Sequence, residues 1–353
     1  MNMRYCKYAQ QKLEKIRNRN QGNIWRLAAV ESFLTEYNKA WITQRADPYV
    51  YRHHDGRYYF TASVPSYDRI ILRSSNKLSA LSTAGERVIW KRHEKGPMSE
   101  HIWAPELHYL FGKWYIYFAA GEQEDKWKIR PYVLECAGDP MEDEWIELGK
   151  MQAAEGDEFS FQAFSLDATV FERQGSYYYI WAEKVGVGKM ISNLYIAKLE
   201  SANRLSTVQV LLTTPDYDWE RKGFWVAEGP AVLKHKGKIY VTYSASATDA
   251  SYCVGMLTAK EDAELLDPQS WKKERYPVLS THKDKGFYGP GHNSFTKSSD
   301  GRDIMVFHAR QYEHLIAEPL YDPNRHAMLL EVAWDAAGKP VFEYRRKEFW
   351  EFD

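Results

Sequence analysis

A strand pattern that recurs five times, about 60 residues apart, constrains the fold of this chain more than any other feature. In each copy a small or acidic residue precedes an apolar stretch, a turn with Gly or Asp, and a strand rich in Tyr and Phe. The copies begin at Ala46, Ala104, Asp167, Glu228 and His292. A fixed period of this length indicates one supersecondary unit per repeat.

Each repeat also contains a later strand of alternating character, and most repeats end in a fourth short strand, as in ERVIW and EWIELG. Four strands per unit in five units are typical of a β-propeller, in which every unit forms one blade. The alternative is a two-sheet sandwich whose strand spacing repeats by coincidence. We therefore predict an all-β protein, with a single five-bladed β-propeller over residues 41–353.

The first 40 residues carry a different pattern, because their apolar residues recur at helical spacing. Gly22 and Asn23 supply a start signal for a helix. This pattern predicts a short N-terminal helical extension over residues 1–40. Packing against the propeller and contact with a second copy both remain open, so a homo-oligomer is compatible with the sequence. The apolar positions are Ile24, Leu27, Val30, Phe33, Leu34 and Tyr37.

Charge and cysteine content limit the partners and the compartment. Lys and Arg number 47 against 48 Asp and Glu, so no basic field exists to bind nucleic acid or a membrane surface. The three cysteines are widely spaced and form no CxxC motif, and the charged N-terminus lacks the apolar core of a secretory signal. We therefore expect a cytoplasmic protein with no nucleic-acid or membrane partner.

Three of the five repeats are expected to carry a carboxylate at the same structural position, so that the acids share one phase of the repeat, at Asp47, Asp167 and Glu228. The first strand of each propeller blade lines the central channel, so these side chains are expected to converge there. Buried acids that lie close together raise one another's pKa, which provides the protonated group that a general acid needs. This arrangement suits cleavage of a glycosidic bond by a pair of carboxyl groups.

Other reaction classes find less support in the sequence. It contains no GxxxxGK[ST] or GxGxxG phosphate loop, no HExxH zinc motif and no GxSxG nucleophile motif. The aromatic content of 15% fits a protein that stacks rings against the apolar faces of sugars.

Several segments make the chain resemble glycoside hydrolase family 43, in particular its α-L-arabinofuranosidases and β-xylosidases. The resemblance extends from about residue 42 to about residue 335 and implies a five-bladed propeller that hydrolyses glycosides with inversion. It further implies that Asp47 is the general base, Asp167 the residue that tunes the pKa of the acid, and Glu228 the general acid. The segments are QRADPYVY, HIWAPELHYLFGKWYIYFAAG, FSLDATVF, WVAEGPAVL, YSASATD and YGPGHNSFT.

Further residues are candidates for binding the sugar. We expect Trp103 at the channel rim, Arg310 as a donor to sugar hydroxyls, and Phe224 in the pocket wall. The alternatives are packing between blades for Trp103, a surface position or a salt bridge for Arg310, and core packing for Phe224. The resemblance also implies a structural calcium ion in the channel, held by His292 through water. Because calcium prefers oxygen ligands, His292 is equally a candidate for supporting the pocket by hydrogen bonding. The chemistry itself requires no cofactor.

The sequence thus predicts an exo-acting, inverting glycoside hydrolase. Its expected substrates are oligosaccharides from arabinan, arabinoxylan and xylan of the plant cell wall, from which it would release terminal α-L-arabinofuranosyl or β-D-xylosyl residues. Two alternatives remain: an endo-α-1,5-L-arabinanase on the same scaffold, and a non-catalytic carbohydrate-binding propeller.

Overall fold

The computed structural model describes residues 39–316, 318–344 and 347–353. These residues form five antiparallel sheets that are arranged as the blades of a β-propeller, followed by a two-stranded hairpin. The predicted all-β, five-bladed propeller is therefore confirmed. The helical extension that the sequence predicts over residues 1–40 lies almost wholly outside the described residues.

The strands of each blade follow one another along the chain, from the channel outward. Blade one contains β1 (Ala46–Arg52), β2 (Tyr58–Ser63), β3 (Arg69–Ser75) and β4 (Arg87–Lys91). Blade two contains β5 (Pro97–Leu110), β6 (Lys113–Glu122), β7 (Arg130–Cys136) and β8 (Ile146–Lys150). Blade three contains β9 (Ser165–Arg173), β10 (Ser176–Val187), β11 (Lys189–Ser201), β12 (Arg204–Leu205) and β13 (Val210–Thr213).

Blade four contains β14 (Ala227–His235), β15 (Lys238–Ala245), β16 (Cys253–Lys260) and β17 (Lys272–Lys273). Blade five contains β18 (Tyr288–Lys297), β19 (Asp303–Arg310) and β20 (His326–Glu331), and the hairpin consists of β21 (Ala333–Trp334) and β22 (Pro340–Val341). Short 3-10 helices lie at Ser79–Ser82, Asp218–Glu220, Pro268–Ser270, Lys283–Lys285, Pro319–Tyr321 and Phe349–Phe352. No helix among the described residues is long and apolar enough to cross a membrane.

Apolar side chains fill the space between each blade and the next. Alternation along the strands places one set of side chains on each face of a sheet, and the two faces pack against different neighbours. Between blades three and four, for example, Ile180 and Leu194 pack in one cluster with Val241 and Leu257. Four further clusters occupy the other blade interfaces, so the hydrophobic core is distributed around the ring.

Both ends of the described chain close the ring. Trp41 and Ile42 donate backbone hydrogen bonds to the carbonyl oxygen of Ala327, which adds the N-terminal segment to the outer edge of blade five. Trp41 and Phe352 both pack in the cluster between blades five and one. Contacts far apart in sequence thus hold the first and last blades together.

A β-bulge recurs in the first strand of every blade and determines where the channel-facing side chains point. The register shifts at this point in all five blades, and one residue adopts a left-handed conformation with φ between 44° and 54°. A bulge re-aims side chains and often lies beside an active site. The left-handed residues are Asp47, Ala104, Asp167, Gly229 and His292.

Candidate active site

The repeated bulge brings the predicted acids together, but not all at an equivalent position. Asp47 and Asp167 are themselves the left-handed residues of blades one and three, whereas Glu228 precedes the left-handed Gly229 of blade four. A Cβ atom on Gly229 would lie 3.1 Å from Cγ of His292, so a side chain is strongly disfavoured there. The expectation that all three acids share one phase is therefore wrong by one residue at Glu228.

A cavity of 840 Å³ opens at the bulge end of the channel, and all three acids line it. Its walls come from loops and strand ends of every blade and are largely aromatic. Besides Asp47, Asp167 and Glu228, the lining includes Trp103, Lys126, Trp127, Phe164, Lys184, Lys189, Phe224, Trp225, Tyr252, His292, Tyr321 and Arg325.

Asp47 is held as an anion. Its Oδ2 accepts a hydrogen bond from Ser63 at 2.6 Å, and its Oδ1 lies 3.3 Å from nitrogens of His292, His308 and Arg325. Burial favours the neutral acid, but the charges of His292 and Arg325 hold the pKa of Asp47 well below its usual range. An ionised carboxylate in this position can accept a proton.

Asp167 and Glu228 are the opposite case, because both retain protons more strongly than usual. Burial raises the pKa of Asp167 to about 8; His292 opposes the rise, and the charges of Glu228 and Asp47 add to it. Burial also raises the pKa of Glu228, against a hydrogen bond from Tyr252 and the charge of His292. The two groups interact, so the pair keeps a proton near neutral pH that Glu228 can deliver.

His292 lies between the acids. Its Nδ1 is 3.3 Å from Asp47 Oδ1 and 3.8 Å from Asp167 Oδ2. Burial favours a neutral ring, but the charges of Asp167, Asp47 and Glu228 raise the pKa of His292 overall. It is therefore placed to support the acids electrostatically.

The described side chains around His292 do not form a coordination shell for the predicted calcium ion. Among the described residues no group of three or more His, Cys, Asp and Glu could hold a metal ion. Nδ1 of His292 faces carboxylates, so an ion there would depend mainly on water for its ligands. A water-mediated calcium ion at His292 stays a prediction, and no step of the chemistry below depends on it.

Two of the predicted sugar-binding aromatic residues line the cavity. Trp103 is only 7% exposed and stacks on His101 with ring centroids 4.4 Å apart, so it forms part of the inner wall. Phe224 is 64% exposed, which places it at the mouth instead of in the core. An exposed ring at the mouth is available to stack on a sugar beyond the one that is cleaved.

The predicted role of Arg310 does not fit the structure. Its side chain is buried behind the cavity wall, and its two terminal nitrogens donate to the carbonyl oxygens of Thr248 and Pro319 at 2.5 and 2.6 Å. The same guanidinium lies 3.6 Å from Asp322. Because its donors are used within the protein, Arg310 positions two wall segments and is not a sugar contact.

The sequence reasoning missed three polar residues in the cavity. Arg325 contacts Asp47, Tyr252 contacts Glu228, and the Lys184 ammonium lies 3.6 Å from the centre of the Phe164 ring. Burial lowers the pKa of Lys184, and the charge of Glu228 opposes this shift. Tyr252 and Arg325 each directly precede the third strand of their blade, and Lys184 lies in β10. Their residue types do not recur in the other blades, so the repeat pattern gave no signal for them.

The loop that leads into Glu228 is fixed by Glu220, which is fully buried. The Glu220 carboxylate accepts hydrogen bonds from the backbone of Asp216 and Tyr217 and from the Tyr243 hydroxyl at 2.7–2.9 Å. It also lies 2.8 Å from the Lys273 ammonium. This network anchors the segment that carries Phe224.

We expect Glu220→Ala to lower the free energy of unfolding by about 3–5 kcal/mol, because it leaves buried N–H and hydroxyl donors without their acceptor and removes one partner of the Lys273 ammonium. Urea denaturation measures this loss. The control is Glu274→Ala, which removes a partly exposed ion pair between the end of blade four and Lys339 of the hairpin and should cost less than about 1 kcal/mol. Equal, small losses in both variants would show that Glu220 does not hold the loop.

Comparison with known proteins gives the family. The model for glycosyl hydrolases family 43 matches residues 38–340, and the chain belongs to this family. An extracellular exo-α-(1→5)-L-arabinofuranosidase of Streptomyces avermitilis is 48% identical over 301 residues, which are 85% of this chain and 61% of that protein. An enzyme of the same name from Streptomyces chartreusis is 48% identical over 285 residues, which are 80% of this chain and 85% of that protein.

The crystal structure of an α-L-arabinofuranosidase from Lactobacillus brevis superimposes with a TM-score of 0.80 at 48% identity. The match covers 86% of this chain and 97% of that one. The resemblance to family 43 that the motifs indicate is therefore confirmed.

The cytoplasmic location that the sequence predicts is contradicted. The two Streptomyces relatives are named extracellular enzymes, which points to secretion. The prediction depended on cysteine usage and on the charge of the N-terminal residues, and the family match does not include those N-terminal residues.

Proposed function

We propose that this protein is an exo-acting α-L-arabinofuranosidase that works with inversion. The observation that carries the proposal is the convergence of Asp47, Asp167 and Glu228 in one aromatic-walled cavity, with the pKa of Asp47 held low and the pKa of Glu228 raised. The names of the similar proteins, two of which are exo-α-(1→5)-L-arabinofuranosidases, support arabinofuranose as the sugar.

In this mechanism Glu228 donates its proton to the glycosidic oxygen while Asp47 takes a proton from a water molecule that attacks the anomeric carbon from the opposite face. The bond to the leaving sugar breaks as the bond to water oxygen forms. Asp47 ends protonated and Glu228 ionised, and exchange with solvent restores both. Asp167 interacts with Glu228, so the two carboxyl groups share a proton and a second negative charge on the pair is disfavoured.

Arg325 gives a test of the base through pH. The charge of Arg325 contributes to the low pKa of Asp47, and the base works only when it is ionised. Activity is therefore lost as the pH falls through the pKa of Asp47. We expect Arg325→Met to move the acidic limb of the kcat/KM profile to higher pH by about one unit.

The matched control is Arg310→Met, which removes a second buried arginine of blade five that does not contact Asp47. This variant should leave the acidic limb in place. An identical shift in both variants, or no shift in Arg325→Met, would contradict the assignment of Asp47.

The shape of the site supports removal of terminal residues. Walls rise around the acids from Trp127 in blade two, the turn between β10 and β11 in blade three, the loop that carries Phe224, and Tyr321 in blade five. A site enclosed on several sides suits the end of a glycan better than its middle. Arabinan, arabinoxylan and shorter arabinose-containing oligosaccharides are the proposed substrates.

Product analysis tests this proposal. From linear arabinan we expect arabinose alone from the earliest time point, whereas arabino-oligosaccharides as first products would indicate an endo-arabinanase. On 4-nitrophenyl glycosides we expect kcat/KM for α-L-arabinofuranoside to exceed that for β-D-xylopyranoside by roughly 10- to 100-fold, the discrimination that pocket contacts typically give. Failure to hydrolyse either glycoside or arabinan would reject the proposed function.

A further inference from the structure

Tyr252 is a cavity residue whose hydroxyl donates a hydrogen bond of 2.7 Å to Oε1 of Glu228. Its side chain is 1% exposed. We propose that Tyr252 is a positioning residue, which holds the proton of Glu228 on Oε2 and stabilises the Glu228 anion once that proton has left. This inference rests on the assignment of Glu228 as the general acid.

The direction of the hydrogen bond follows from the two groups that form it. The Tyr252 hydroxyl donates to Oε1 of Glu228. Burial and the charge of Glu228 hold the pKa of Tyr252 well above its usual range, so the hydroxyl keeps its own proton. An ionised carboxylate can only accept, so the direction is the same once the acid proton has left.

Because Oε1 always receives this bond, the acid proton has to reside on Oε2. Before the reaction the Tyr252 hydroxyl donates to a neutral acid, and afterwards it donates to a carboxylate. A hydrogen bond to an ionised acceptor is about twice as strong as one to a neutral acceptor. The bond therefore gains strength as charge develops on Glu228, which favours the proton transfer.

Two residues of blade five hold the ring of Tyr252 in place. A Cβ atom on Gly291 would lie 2.3 Å from Cε1 of Tyr252, so glycine is required where blade five passes the ring. On another side the ring stacks on His308, with centroids 5.6 Å apart and planes at 2°. His308 Nδ1 accepts the backbone N–H of Asp47, so one packed unit connects the acid and the base.

The test uses Tyr252→Phe, which removes the donor and keeps the ring. We expect kcat on α-1,5-arabinobiose to fall roughly 10- to 100-fold, the range for a hydrogen bond to a charged group, with little change in KM. Loss of the donor raises the pKa of Glu228, so the alkaline limb of the kcat profile should move to higher pH. On 4-nitrophenyl α-L-arabinofuranoside, whose leaving group needs little protonation, the loss should be much smaller.

A matched variant separates this role from a structural one. Tyr240→Phe removes another buried hydroxyl, which donates to the carbonyl oxygen of Gly338, and should leave the profile unchanged. Equal losses for Tyr252→Phe on both substrates with an unmoved limb would overturn the proposal.

Failure of this proposal can be distinguished from failure of the proposed function. If Glu228→Gln shows a loss that depends on the leaving group and Tyr252→Phe does not, the function stands and the role of Tyr252 is wrong. If Glu228→Gln keeps its turnover on arabinobiose, the assignment of the general acid fails first.

Discussion

Glu228→Gln is expected to lower kcat on α-1,5-arabinobiose by roughly 10²- to 10⁴-fold, the usual contribution of a general acid. The amide keeps the shape of the side chain and the contact with Tyr252 but has no proton to give to the leaving oxygen. Steady-state kinetics at the pH optimum of the unaltered enzyme measures the loss.

A comparison of substrates with different leaving groups shows whether Glu228→Gln has lost proton donation. The 4-nitrophenolate anion departs without help, so Glu228→Gln should retain far more activity on the aryl glycoside than on arabinobiose. Glu106→Gln is the control, since Glu106 is also buried, pairs with His108 at 3.0 Å and lies outside the cavity lining. An equal loss on both substrates would mean that Glu228 is not the acid.

Asp47→Asn is expected to lower kcat by a similar factor, roughly 10²- to 10⁴-fold, because the pKa of Asp47 is held low whereas the pKa values of Asp167 and Glu228 are raised. Since activation of water is needed whatever group departs, this loss should be equally large on arabinobiose and on the aryl glycoside. The contrast with Glu228→Gln assigns base and acid separately.

The control for Asp47→Asn is Asp303→Asn. Asp303 is as buried as Asp47 but begins β19 at the other end of the channel, where it pairs with Lys297 at 2.6 Å. Its replacement should leave turnover almost unchanged. If both variants lost activity to the same extent, the effect of Asp47→Asn would be structural instead of chemical.

The propeller and its acids could be predicted because each strand and turn of the repeat has a recognisable pattern within a few neighbouring residues. Turn residues and alternating apolar residues recur in every blade, and the period places their first strands around one axis. The repeat pattern predicts the position of each acid within its blade only to within one residue. Glu228 precedes the bulge position that Asp47 and Asp167 occupy, because Gly229 has to pass close to His292.

The supporting residues could not be predicted, because their positions depend on how non-repeated loops fold back over the channel. Arg310 and Arg325 are both arginines of blade five, and the segment between them determines which one reaches the acids. Arg310 is the last residue of β19 and donates hydrogen bonds to backbone carbonyl oxygens, whereas Arg325 precedes β20 and contacts Asp47. Tyr252 likewise lies in a loop before β16.

The configuration of the first product tests the central claim most directly. If Asp47 directs water to the face opposite the bond that Glu228 protonates, hydrolysis of an α-L-arabinofuranoside must release β-L-arabinofuranose first. Proton NMR spectra taken within the first minutes, before the free sugar mutarotates, should show the β anomer ahead of the α anomer. Initial release of the α anomer would require a covalent intermediate on one of the acids and would contradict the roles assigned to Asp47 and Glu228.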